Sequence, residues 1–179
     1  MSESKFQDFS FANKTYAKFR FDQFIFKVVM IRPEYPDYLF EEVVKRVEGP
    51  RDLAVDVGAG TGQATIPLAA HFKKVIGFDP SVGQLEQTQK QCKHFPKNDL
   101  TNQANIEFRQ STAEKIDLPS STVDLLVSAQ AVHWFNTPEF YNEVIRLLRP
   151  GGLMALWGYG LCTLDNKDAN DALRNVIYK

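Results

Sequence analysis

The chain has 179 residues, 44% of them hydrophobic and 24% charged, the make-up of one soluble globular domain. Lys and Arg number 21 against 22 Asp and Glu, a net charge of −1, so the basic footprint of a non-specific nucleic-acid binder is missing. Two cysteines, Cys92 and Cys162, are too few for a disulfide framework and lack metal-ligand spacing, so no metal site is expected.

Residues 1–50 are aromatic-rich and end at the Gly49-Pro50 breaker. Their greasiest run, residues 24–31, is eight residues long with Lys27 inside, far short of the roughly 20 that span a bilayer. Arg32-Pro33-Glu34 follows instead of a cleavage pattern, so neither a membrane protein nor a secreted one is expected, and the chain reads as cytoplasmic. Leu39, Val43, Val44 and Val47 predict one face of a helix over 38–47. After the breaker, apolar strands alternate with helices. Strands are predicted at 53–57, 75–78, 106–108, 123–127 and 153–157, and helices at 63–72, from 82 towards Cys92, and from Thr137-Pro138 to about Leu148. A further helix is predicted over 168–178. Ser81 and Gln84 have capping-box spacing. Phe140, Tyr141, Val144, Ile145 and Leu148 are expected to line the buried face of their helix, with Arg146 and Arg149 facing its negative end. Apolar strands alternating with helices predict a doubly wound, Rossmann-like α/β fold with a mainly parallel sheet covered on both faces.

The chemistry begins at Asp56-Val57-Gly58-Ala59-Gly60-Thr61-Gly62, where the first strand hands over to the first helix. Open α/β sheets bind ligands at that edge, and alternating glycines let a ligand approach the backbone ahead of a helix with unpaired N–H groups. A dinucleotide fingerprint needs a small residue at position 63, which is Gln63, and a P-loop needs a lysine that is absent. Asp79, ending the second strand before Pro80, is placed to accept hydrogen bonds from ribose hydroxyls. A nicotinamide enzyme has an acid there too, so this residue identifies a ribose and not a methyl donor.

The pattern acid-x-Gly-x-Gly-x-Gly resembles that of class I S-adenosylmethionine-dependent methyltransferases, over about residues 52–160. Ser111-Thr112-Ala113-Glu114, Ala129-Gln130-Ala131-Val132-His133-Trp134 and Arg149-Pro150-Gly151-Gly152 resemble the family's later motifs in the right order. The resemblance implies S-adenosylmethionine as cofactor, with Asp56, Gly58, Ala59, Gly60, Gly62, Asp79, Pro80, Thr112, Ala113, Glu114 and Ala129 around it. It implies a small-molecule acceptor and no nucleic-acid or membrane partner. His133 is the candidate general base, and Trp134 the candidate aromatic partner of a sulfonium; each also reads as a packing residue. The His-Trp pair is similar to that of the trans-aconitate methyltransferase subgroup, whose acceptors are often carboxylic acids. A cofactor-binding or interaction protein without catalysis is the alternative. Against the family pattern, residues 1–50 read as an N-terminal lid or helical segment with an insertion at 21–32. Residues 51–179 read as the Rossmann-like domain without its usual final strands.

Overall fold

The computed structural model describes residues 35–92 and 105–159, with positions 167, 168 and 171 beyond them. The 21–32 insertion, the expected lack of the usual final strands and nearly all of the 168–178 helix concern positions outside these residues. In chain order the elements are α1 (Asp37–Lys45), β1 (Leu53–Val57), α2 (Thr65–Leu68), β2 (Lys74–Asp79), α3 (Val82–Cys92), β3 (Ile106–Gln110), β4 (Val123–Ala129), a 3-10 turn (Val132–Trp134), α4 (Thr137–Leu147) and β5 (Leu148–Trp157). The five strands form one sheet in the order β3-β2-β1-β4-β5, and every neighbouring pair is parallel. The chain therefore starts in the middle, winds outward to β3, then crosses back to β4. The carboxyl ends of β1 and β4 lie beside each other where the order reverses, at the edge where such sheets hold ligands.

The period of two along each strand splits the core in two. Ala54, Val75, Leu125 and Val127 face a cluster with Phe40 and Val44 of α1 and Leu68 of α2. Val55, Val57, Ile76, Phe78 and Leu126 face the other, with Phe140, Val144 and Leu147 of α4. Each fully buried large side chain contributes roughly 1.5–3 kcal/mol, so the two layers fix the strands rigidly.

The face of α4 differs from expectation. Tyr141 and Ile145 are exposed, while Phe140, Glu143, Val144 and Leu147 point inward. An acid can lie on that inner face because Arg146 pairs with it at 2.7 Å and Ile116 N–H donates to it at 2.7 Å. These donors hold the Glu143 carboxyl below its ordinary value against the opposing effect of burial, Arg146 contributing most. Arg146 also donates to the carbonyls of Ile116 and Leu118, pinning the stretch after β3. It thus clamps two segments where helix-dipole reasoning saw only an end charge. Arg149 donates to Asp124 at the start of β4 and to the Glu48 carbonyl.

The helix predicted over 63–72 contracts to the four residues of α2, flanked by turns. Pro67 has no N–H to donate, and Thr65 turns its hydroxyl to a strand side chain.

Candidate functional site

The end of β1 carries Asp56, only 1% exposed. Its Oδ2 accepts the Thr65 hydroxyl at 2.6 Å, and its Oδ1 is buried with no hydrogen-bond partner. Burial pushes this carboxyl up to about 7, with the Asp79 charge adding to the effect and the Thr65 bond opposing it.

The glycine loop follows. Gly58, Gly60 and Gly62 all have positive φ, at 76°, 55° and 82°. Gly58 and Ala59 both donate their N–H to the Phe78 carbonyl, at 2.8 and 2.9 Å, so the loop folds back over the end of β2. Gly60 donates to Asp79 Oδ2 at 2.9 Å. The two acids and the three glycines predicted from sequence thus meet at one edge. The expected mode of ligand contact changes, however. The N–H groups of residues 58, 59, 60 and 62 are already used within the protein, and α2 is too short to offer a helix terminus.

The glycines also make room for neighbouring elements. A Cβ at Gly58 would lie 2.4 Å from Ala131 Cβ, and one at Gly62 would lie 2.7 Å from Thr88 Cγ2. The segment after β4 therefore rests on the start of the loop, and α3 rests on its end. The Thr88 hydroxyl donates to the Gly60 carbonyl at 3.1 Å, tying α3 to the middle of the loop.

Asp79 closes β2. Its Oδ1 accepts Ser81 N–H at 2.8 Å, leaving it 7% exposed. The Ser81 hydroxyl accepts Gln84 N–H at 3.4 Å, so one half of the predicted capping box forms, while Ser81 N–H goes to Asp79. Pro80 is exposed, and its carbonyl accepts Gln110 Nε2 at 3.1 Å. Ser111 N–H reaches the Asp79 carbonyl at 3.3 Å and brings the 111–115 stretch beside that acid. There Thr112 is exposed, Ala113 is buried at 7%, and Thr112 bridges to Lys115 in a tight turn. Glu114 Oε1 accepts Asn136 N–H at 2.9 Å and ties this turn to the segment after β4.

Ala129 ends β4 opposite Trp157. His133 and Trp134 follow in the 3-10 turn, both exposed, their rings 4.9 Å apart and tilted by 47°. Gln130, between strand and turn, stands in the motif read after β4 but was given no role of its own. It takes the left-handed region at φ 53°, donates its N–H to the Trp157 carbonyl at 2.9 Å and its Nε2 to the Tyr159 carbonyl at 2.8 Å. A strained glutamine at the end of a central strand locks β5 to β4 beside the candidate site. Its sequence signal was its place in the 129–134 motif, directly after an apolar strand. Thr65 was passed over, and nothing in the sequence marks a threonine nine residues after Asp56 as its partner. Among the described residues no group of three or more His, Cys, Asp or Glu could hold a metal ion. No helix among them is long and apolar enough to cross a membrane.

A family model described as a methyltransferase domain matches residues 55–156, from the middle of β1 to the end of β5. The chain is 46% identical over 170 residues to a Dictyostelium discoideum protein provisionally named a methyltransferase, covering 94% of this chain and 55% of that one. It is 35% identical over 150 residues to a Saccharomyces cerevisiae protein provisionally named an S-adenosylmethionine-dependent methyltransferase, covering 83% and 49%. A solved structure from Anaeromyxobacter dehalogenans, provisionally named a type II methyltransferase, superposes with a TM-score of 0.64 at 32% identity, covering 83% of this chain and 57% of that one. The chain spans about half the length of the curated relatives it matches.

Proposed function

The chain belongs to the methyltransferase domain family of class I S-adenosylmethionine-dependent enzymes, and from that premise we propose that its carboxyl sheet edge holds S-adenosylmethionine for methyl transfer to a small-molecule acceptor. The observation that carries the reading is the Gly60 to Asp79 hydrogen bond of 2.9 Å, which joins the glycine loop and the second acid into one site.

The residues present fit such a group. It is an adenosine bearing an amino-acid tail and a cationic sulfur, so it needs acceptors for ribose hydroxyls, an apolar bed for the base and anionic partners for its cations. Asp79 supplies two carboxylate oxygens as acceptors, and they already take the Gly60 and Ser81 N–H groups. The 112–114 turn tied to the end of β2 supplies Ala113 as a bed for a base, with Thr112 at its rim. Asp56 supplies a buried oxygen with no partner of its own.

When bound, S-adenosylmethionine brings a methyl group that is already electrophilic on its positively charged sulfur. The chain's part is then to hold donor and acceptor in line, an ordering worth about 7–11 kcal/mol in favourable cases. Trp134 presents an exposed ring whose face favours cations. His133, beside it, is the group that takes a proton from an acceptor hydroxyl or amine. A carboxylate acceptor needs no such base, and the His-Trp pair supports that acceptor class.

The test is transfer of labelled methyl from S-adenosylmethionine to a panel of small carboxylic acids, amines and alcohols. Label recovered as a base-labile ester supports the carboxylate reading, and label recovered only on nitrogen or alcohol oxygen overturns it. Cofactor binding without transfer to any acceptor favours a binding protein over an enzyme.

A further inference from the structure

We infer that Asp56 is a proton-linked anchor of the cofactor site: it is neutral in the free protein, and it ionises and releases its proton when a ligand's ammonium charge arrives. The inference rests on the proposed cofactor reading and adds a proton to its binding equilibrium.

The argument starts from what a buried carboxylate needs. An ionised carboxyl removed from water requires several donors or a cation, or else it stays protonated. Asp124, 2% exposed, meets that requirement: it accepts N–H groups from Asp52 and Leu53, both at 2.8 Å, and pairs with Arg149. Asp56 is buried as deeply, and its donors come from Thr65, the hydroxyl at 2.6 Å and more weakly the backbone N–H, while Oδ1 has no hydrogen-bond partner.

The surroundings oppose ionisation. In register with Asp56, β2 presents Gly77 and β4 presents Val127, neither of them charged. From α2 come the hydroxyl and backbone N–H of Thr65, neither of them charged. Among the described residues the charged group whose field reaches Asp56 is Asp79, and it repels a second negative charge. Burial and that repulsion push the Asp56 carboxyl up to about 7.

The position gives the neutral acid a use. Asp56 sits two residues before Gly58, at the foot of the loop, and both S-adenosylmethionine and its demethylated product carry an α-ammonium group. Binding then reads as a balanced exchange. The protonated carboxyl loses its O–H proton to solvent, the electron pair stays on the carboxylate, and the ammonium becomes its counter-ion. No bond to the ligand forms or breaks. The free protein thereby avoids a second negative charge beside Asp79, and the bound one gains an ion pair.

The experiment is titration calorimetry of the full chain with S-adenosylhomocysteine, run at pH 6 and pH 8 in pairs of buffers with different ionisation enthalpies. The expected release is about 0.9 proton per ligand at pH 6 and about 0.1 at pH 8, with affinity about tenfold tighter at the higher pH. Asp56→Asn should abolish both the release and the pH dependence while circular dichroism stays unchanged. Wild-type binding with no buffer-dependent heat and a flat pH profile would overturn the inference and leave the cofactor reading standing. Proton release that survives in Asp56→Asn would overturn it as well. Absence of binding at either pH overturns the cofactor reading, and the inference with it. The wild-type buffer comparison decides the matter even where the variant does not fold.

Discussion

Asp124 and Asp56 lie on neighbouring strands of one sheet, at opposite ends, and both are shut away from water. At the amino end the fold supplies Asp124 with two backbone donors and an arginine. Nearby acids there are paired as well: Asp52 with Lys73 at 2.7 Å, and Glu107 with Arg109 at 2.6 Å and Lys74 at 2.9 Å. At the carboxyl end Asp56 is held by Thr65 and keeps one oxygen without a partner, while Asp79 accepts two backbone N–H groups. The difference teaches where the molecule spends its acids on itself and where it keeps them for something else.

If that division is real, variants at the two ends should fail in different ways. The largest effect is expected from Arg149→Met, which leaves Asp124 buried without its cation. Urea unfolding should show a loss of about 3 kcal/mol, while the folded protein keeps its affinity for S-adenosylhomocysteine within about twofold. Gly60→Val should do the reverse. A Cβ there meets the flexible end of Gln84 at 2.9 Å, which can move aside, so the cost to the fold is about 1–2 kcal/mol for the left-handed backbone. Affinity for S-adenosylhomocysteine should drop about a hundredfold by calorimetry, because the side chain enters the crevice. Asp79→Ala blurs the division in an informative way. It removes the ribose acceptor and also strands the N–H groups of Gly60 and Ser81, so binding should be lost together with about 1–3 kcal/mol of stability.

The pH dependence of stability gives the sharpest contrast in sign. Arg109 first, then Lys74, holds Glu107 down at about 2 from an ordinary 4.5, so its contribution is present above 4.5 and is lost as pH falls towards about 2. Asp56 runs the opposite way, with a folded value of about 7 against an ordinary 3.8. Its contribution is full below 3.8 and is lost as pH rises to about 7. Urea midpoints of Asp56→Asn should therefore lack a decline between pH 4 and 7 that wild type shows. A decline of equal slope in both proteins would contradict the assignment.

Much of the carboxyl end was legible in the sequence, because its signals are local. The glycines, the acid two residues before them and the acid ending the next apolar strand are each visible in a few residues, and the structure brings them together. The paired end was less legible. Arg149 finds Asp124 25 residues away and the Glu48 carbonyl 101 residues away, and no short pattern announces either partner. Local reasoning also erred where a long-range partner decided the outcome. Glu143 displaces Tyr141 and Ile145 from the inner face of α4 because Ile116 N–H and Arg146 await it. Thr65 helps shorten a helix that periodicity favoured, because its hydroxyl serves Asp56.

A crystal structure of the chain grown with S-adenosylhomocysteine tests the central claim most directly. The account predicts the amino-acid tail along residues 58–62 and both ribose hydroxyls within hydrogen-bond reach of Asp79. Ligand seated at another edge of the sheet, or a ribose turned away from Asp79, would contradict it.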